Sequence, residues 1–214
     1  MATPTVWKNV AVSMQSAIAA TKTITGVTKA NPGVATSVAH GYSDGDILFL
    51  EIQGMRQIDQ KVVRITNKTL DTFELEGVDT TLFDTFASGT SAKVTLGTTI
   101  TSMTNISASG GDFDFIDTTT IHDNSRSQVP GLPSAISYST DNIWDATDAG
   151  QIAMKVASDN QAKRVIKFQF GSSGKIVYFG GYVGFNGLPG GQAQALVTSS
   201  AVFTMNGTPT YYAS

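Results

Sequence analysis

The chain has 214 residues, room for one sizeable hydrophobic core or for one core with a smaller satellite. Hydrophobic residues make up 41% and charged residues only 14%, with 14 Lys and Arg against 17 Asp and Glu, so the surface is largely Ser, Thr, Asn, Gln and Gly. A net charge of -3 leaves no basic footprint for tight nucleic-acid binding, and the absence of Cys removes disulfides, thiolate metal sites and cysteine nucleophiles. The first eight residues lack a charged segment followed by an apolar one, and no run is apolar enough to cross a membrane, which reads as a soluble protein.

Taken in chain order, residues 5–20 hold a first apolar segment, 6–18, whose small side chains permit a strand or a short helix. Residues 21–96 read as a compact β unit. Strand patterns at 24–28, 34–38, 47–52, 61–65 and 72–76 alternate with turn signals such as Asn31-Pro32-Gly33, as in a small barrel.

From residue 97 the order changes. A Thr-rich strand at 98–107 leads through Gly110 and Gly111 into an acidic stretch, 111–133, too long for an ordinary connection and therefore read as a functional loop. In 134–141, Ile136 and Tyr138 alternate with Ser137, Ser139 and Asp141, the pattern of a half-buried strand. Asp148 followed by Gln151 forms a capping-box signature for a helix over 148–160, with Ala149, Ile152, Ala153 and Val156 on one side. Strands at 164–170 and 175–182 flank a four-residue hairpin loop, a Gly-rich bend covers 184–191, and a last strand runs from 192 to 205 before a flexible terminus, 207–214.

No constellation for catalysis emerges. His40 and His122 lie in different units, where a loop imidazole that bonds to its surroundings is commoner than a base. The run from Gly171 to Lys175 would need Gly in place of Gln169 and Ser or Thr in place of Ile176 to cradle phosphate. Asp112, Asp114 and Asp117 lack the Gly and terminal Glu of a calcium loop, and no pair among the acids is marked for glycoside hydrolysis. The expectation is a protein that is not an enzyme and has no metal and no cofactor.

The strand, loop, strand, helix, hairpin, strand order, with Phe113-Asp-Phe-Ile-Asp117, His122-Asp123 and Val129-Pro-Gly-Leu132 in the long loop, resembles the tail tube (major tail) proteins of bacteriophages with long, flexible tails. The resemblance covers residues 98–209, with 6–20 as a first strand or arm. It implies a mainly β fold, a tail-tube β-sandwich with one flanking helix, whose hexameric rings stack into a virion channel for genome delivery. The segments 40–46 and 67–75 are similar to small barrel modules of phage structural proteins and to a half-domain of ubiquitin-activating enzymes, so 21–96 is read as an inserted module. The domains expected are thus 1–20, 21–96 and 97–214. The module is expected to project from the outer wall, so that its removal leaves assembly intact.

Charge is uneven: seven Asp (112, 114, 117, 123, 141, 145 and 148) stand against Arg126 over 112–148, whereas Lys155, Lys163, Arg164, Lys167 and Lys175 stand against Asp159 beyond it. Asp112, Asp114, Asp117, Asp123, Arg126, Lys163, Arg164 and Lys167 are therefore candidate contacts between subunits or rings. Ser137, Ser139, Asp141, Gln192, Gln194 and Thr198 are candidate lumen-lining residues, since a conduit must not hold DNA tightly. The resemblance implies self-association and, as further partners, tape measure and tail terminator or tip proteins; the setting is the virion tail, with host cytoplasm during assembly. The competing readings are a carbohydrate- or receptor-binding β-protein using Trp7, Trp144, Tyr178 and Tyr182, and a β-sandwich hydrolase.

Overall fold

The computed structural model describes residues 7–171 and 174–213. The sequence readings at residues 1–6, in the middle of the 171–174 loop and at Ser214 lie outside the described residues.

Two antiparallel sheets carry the chain. The first has seven strands: β1 (Val10–Met14), then β10 (Thr98–Ile100), β11 (Met103–Ser109), β14 (Ser137–Ile143), β15 (Arg164–Phe170), β16 (Ile176–Phe185) and β17 (Thr198–Tyr212), in the spatial order β10-β1-β15-β16-β17-β14-β11. Only Thr101 and Ser102 separate β10 from β11, which stand at opposite ends of that order, so the sheet curls back on itself. Its concave side holds a core of Met14, Ile166, Phe168, Phe179 and Phe203, onto which α1 (Ala149–Asp159) packs Met154 and Ala157.

The second sheet is built between β1 and β10. Its strands are β2 (Ala17–Ile18), β3 (Lys22–Ile24), β4 (Gly26–Val27), β5 (Val34–Thr36), β6 (Ile47–Gln53), β7 (Val62–Thr66), β8 (Thr72–Leu75) and β9 (Ser88–Thr95), around Leu48, Leu50, Ile65, Phe73 and Leu75. A third cluster joins the sheets: Phe49, Val62 and Val94 meet Val165, Ile176, Tyr178 and Tyr212. Gly180 permits this approach, because a Cβ there would stand 2.8 Å from the Phe49 ring.

Several segments differ from their sequence reading, each for a physical reason. The 6–18 segment forms two strands, Val10–Met14 and Ala17–Ile18, and no helix where described. β9 carries the small, polar run Ser-Gly-Thr-Ser-Ala-Lys-Val-Thr that propensity passes over, yet it pairs with β2, β3 and β6, a case of tertiary pairing overriding local preference. The 111–133 loop is a two-stranded arm of β12 (Phe113–Asp117) and β13 (Gln128–Pro133). Residues 207–212, expected to be flexible, continue β17, and Thr210 and Tyr212 are buried against the second sheet.

The capping box forms by half. Asp148 accepts from the Gln151 amide, but the Gln151 side chain turns away, donating to the Ile143 carbonyl and accepting from the Asp145 amide. The buried helix face is Gly150, Gln151, Met154 and Ala157, whereas Ala149, Ile152 and Val156 of the expected face are exposed.

Candidate functional site

Side chains alternate across a strand, so β14 and β17 each divide into an inner and an outer row. Thr140, Asn142, Ala201 and Phe203 point into the core. The convex face then presents Ser137, Ser139 and Asp141 from β14 opposite Thr204, Val202 and Ser200 from β17, with Thr198 at the end of the row. β11 extends it with Ser109, Ser107 and Asn105, in register with Ser137, Ser139 and Asp141, and β16 adds Tyr182 opposite Thr204. Asp141, the one charged member of this set, is fixed by the Ser200 hydroxyl at 3.0 Å and the Asn105 amide at 3.3 Å.

Four of the six lumen candidates, Ser137, Ser139, Asp141 and Thr198, therefore share one face. Gln192 and Gln194 do not. They precede β17 in a turn in which Gln194 has φ of 64°, because the ladder with β14 begins only at Thr198. Of β17 the sequence reading reaches only Thr198, and the β11 contribution is missed because 98–107 reads as one strand, which the structure splits at the corner formed by Thr101 and Ser102.

The arm prolongs the β11–β14 pair beyond Gly110 and Gly111. Every residue of β12 is exposed, including Phe113, Phe115 and Ile116, as are Val129 and Leu132 of β13. Pro130 and Pro133 deprive β13 of two N–H donors, which leaves β12 the strand better able to accept a further partner. Among the candidate contacts, Asp112 and Asp114 lie at the root and on β12. The Thr119 hydroxyl and amide hold the Asp117 carboxyl below its usual range, and the Thr120 amide and hydroxyl do the same for Asp123. Arg126 is exposed near the tip.

The cations on and beside β15 are brought near one another but are partly occupied. Lys163 donates to Gln60 Oε1 at 2.8 Å and stands 3.9 Å from Glu51, tying β15 to the second sheet. Lys167 donates to Gln169, and Arg164 to the Lys163 carbonyl. Among the described residues, no ion pair joins them to the acids of the arm.

The aromatics of the sugar-binding reading are dispersed. Tyr178 is in the inter-sheet cluster, Trp7 lies against Phe168 and Phe170, and Trp144 donates to the Gly187 carbonyl. His40 is buried, accepting from the Tyr42 amide at Nδ1 and reaching the Thr72 carbonyl through Nε2, whereas His122 is exposed on the arm. No group of three or more His, Cys, Asp or Glu able to hold a metal is gathered among the described residues.

A mainly β unit with a polar convex face, two sheet edges and a projecting arm has the build of a structural subunit. The family model for phage tail tube protein (TTP) matches residues 53–214, well over half of the chain, and the chain belongs to that family. It is a structural protein of the phage tail tube, mainly β with one α-helix among the described residues, as its sequence implies. The match starts at the end of β6 and so spans much of the second sheet as well as the first. No curated protein matches the chain.

Proposed function

We propose that this chain forms hexameric rings that stack into the tail tube, with the convex face of β11, β14 and β17 lining the channel through which the genome passes. The observation that carries the reading is the row Ser107, Ser139, Val202 with its neighbours: a broad strand surface, open to solvent and with Asp141 its one charge. Each phosphate that a cation neutralises adds a salt-sensitive binding contribution, so a neutral or weakly acidic lining lets DNA slide. The second sheet packs on the β15–β16 part of the same convex surface and on Tyr212 at the end of β17, leaving the β14–β11 part open, and residues 21–96 are accordingly placed on the outer wall.

The test is to replace Ser107, Ser139 and Val202 together by Lys. Tubes should still form, seen by electron microscopy, while genome delivery falls several-fold and recovers as salt is raised. A folded variant that no longer assembles would place this face between subunits and sink the lumen assignment.

In this reading the arm, with Asp112, Asp114, Asp117, Asp123 and Arg126, makes contacts between subunits or rings. Lys163, Arg164 and Lys167 first hold their own chain together and are secondary receivers. Tape measure and terminator or tip proteins meet the tube at its bore and ends, and DNA passes without tight binding. The site of action is the virion tail, reached by assembly in the host cytoplasm. No helix among the described residues is long and apolar enough to cross a membrane.

A further inference from the structure

The curled sheet does not close. Among the described residues β11 has one strand neighbour, β14, and β10 has one, β1. β10 covers β1 only from Val12 to Met14, so the side of Val10 and Ala11 turned away from β15 has no strand partner among the described residues. Between this stretch and β11 opens a cleft of about 550 Å³ whose lining includes Trp7, Val10, Ile100, Met103 and Ile106 and contains no charged side chain. Val10, Met103 and Ile106 belong to the rim of the core beneath, so the cleft has an apolar floor between two strand edges.

The same chain carries the complementary piece, and it does not fill its own cleft. The arm is an extended pair with Phe113, Phe115, Ile116, Val129 and Leu132 exposed, and among the described residues its strands pair only with each other. At about 3.3 Å per residue, the five residues of β12 reach about 17 Å. Two uncovered apolar features in a protein whose family builds tubes call for a common partner.

Resting on the tube reading, we infer that the seam between β1 and β11 receives the β12–β13 arm of a second copy, with β12 adding to a free edge of the curled sheet. Backbone pairing supplies register and the apolar floor seats alternate side chains of β12, the mode by which extended segments join sheet edges. Lys8, exposed and flanked in sequence by the lining residues Trp7 and Asn9, puts a positive charge beside the cleft, opposite in sign to Asp112, Asp114 and Asp117 of the arm, which favours this occupant over a basic one. Because arm and seam are different patches, the contact is heterologous: each copy gives one and receives one, which builds rings or stacks rather than a closed pair.

The absence of cysteine makes the test direct. Full-length Phe115→Cys protein is mixed with Thr104→Cys protein, assembled and oxidised, with a parallel mixture of Phe115→Cys and Lys163→Cys. The expected result is a disulfide-linked dimer in the first mixture and none in either single variant alone. A Phe115→Ser/Ile116→Ser variant, altered only at exposed positions, should keep its circular dichroism and lose assembly.

Tubes that form without the first cross-link, or with the Lys163 cross-link in its place, overturn the seam and leave the tube reading standing. Wild-type protein that never polymerises overturns both.

Discussion

Tyr212 shows how much one side chain does in joining the sheets. Its hydroxyl accepts from the Arg64 amide at 2.9 Å, its ring lies 4.7 Å from the Arg64 guanidinium, and it is 7% exposed. Tyr212→Phe keeps the packing but leaves the Arg64 N–H without that acceptor, and stability should fall by about 1–3 kcal/mol in urea unfolding. At the arm tip the sign of the pH effect follows from Asp117 and Asp123. Both carboxyls sit below their usual range because Thr119 and Thr120 donate to the ionised forms. Tip order is therefore fully present above the ordinary carboxylate range and is lost only as pH falls through the depressed values. The Thr119 and Thr120 amide resonances should stay constant from neutrality to ordinary carboxylate pH and move below it; movement already near neutrality would contradict the assignment.

At the scale of elements, α1 separates what local chemistry announces from what packing decides. Asp148 signals the start of the helix in the sequence and caps it in the structure, because a cap is made with the next three residues. The buried face was not legible. Gly150 and Ala157 lie inward because they let the helix approach β10 and β16, while the larger Ile152 and Val156 are turned out. Gly150→Ala tests this. In a free helix the change stabilises by about 1 kcal/mol. Here the added Cβ would stand 2.9 Å from the Thr99 carbonyl oxygen and 3.1 Å from Ile100 Cα, so the melting temperature should drop. A rise would mean that α1 does not seat on β10 as described. The same distinction accounts for β9 and β17. Ser91 and Gly89 are not strand formers, and Thr208-Pro209 looks like an ending, yet both runs are strands because long-range partners complete their ladders.

For the whole molecule, the outward row of β14, Ser137, Ser139 and Asp141, is legible in the sequence because a period of two survives in Ile136 to Asp141. The seam is not, since it is defined by two strand edges that come together only when the sheet curls. The relation between the sheets yields the last prediction. Gly97 donates its amide to Ser16 Oγ at 3.1 Å, so the chain leaves the first sheet and returns at nearly the same point, and residues 17–96 can be excised by joining Ser16 to Gly97. Excision alone uncovers Val165, Ile176, Tyr178 and Tyr212. At about 1.5–3 kcal/mol for each large side chain returned to water, the loss is roughly 6–12 kcal/mol, comparable to the whole stability of a domain. The bare deletion should therefore aggregate, whatever the second sheet does in the tube. Adding Val165→Thr, Ile176→Thr, Tyr178→Ser and Tyr212→Ser removes that penalty and isolates the question. If residues 21–96 lie on the outer wall, the polar-faced deletion remains folded and polymerises into narrower tubes; a folded monomer that never assembles would make the second sheet part of the wall.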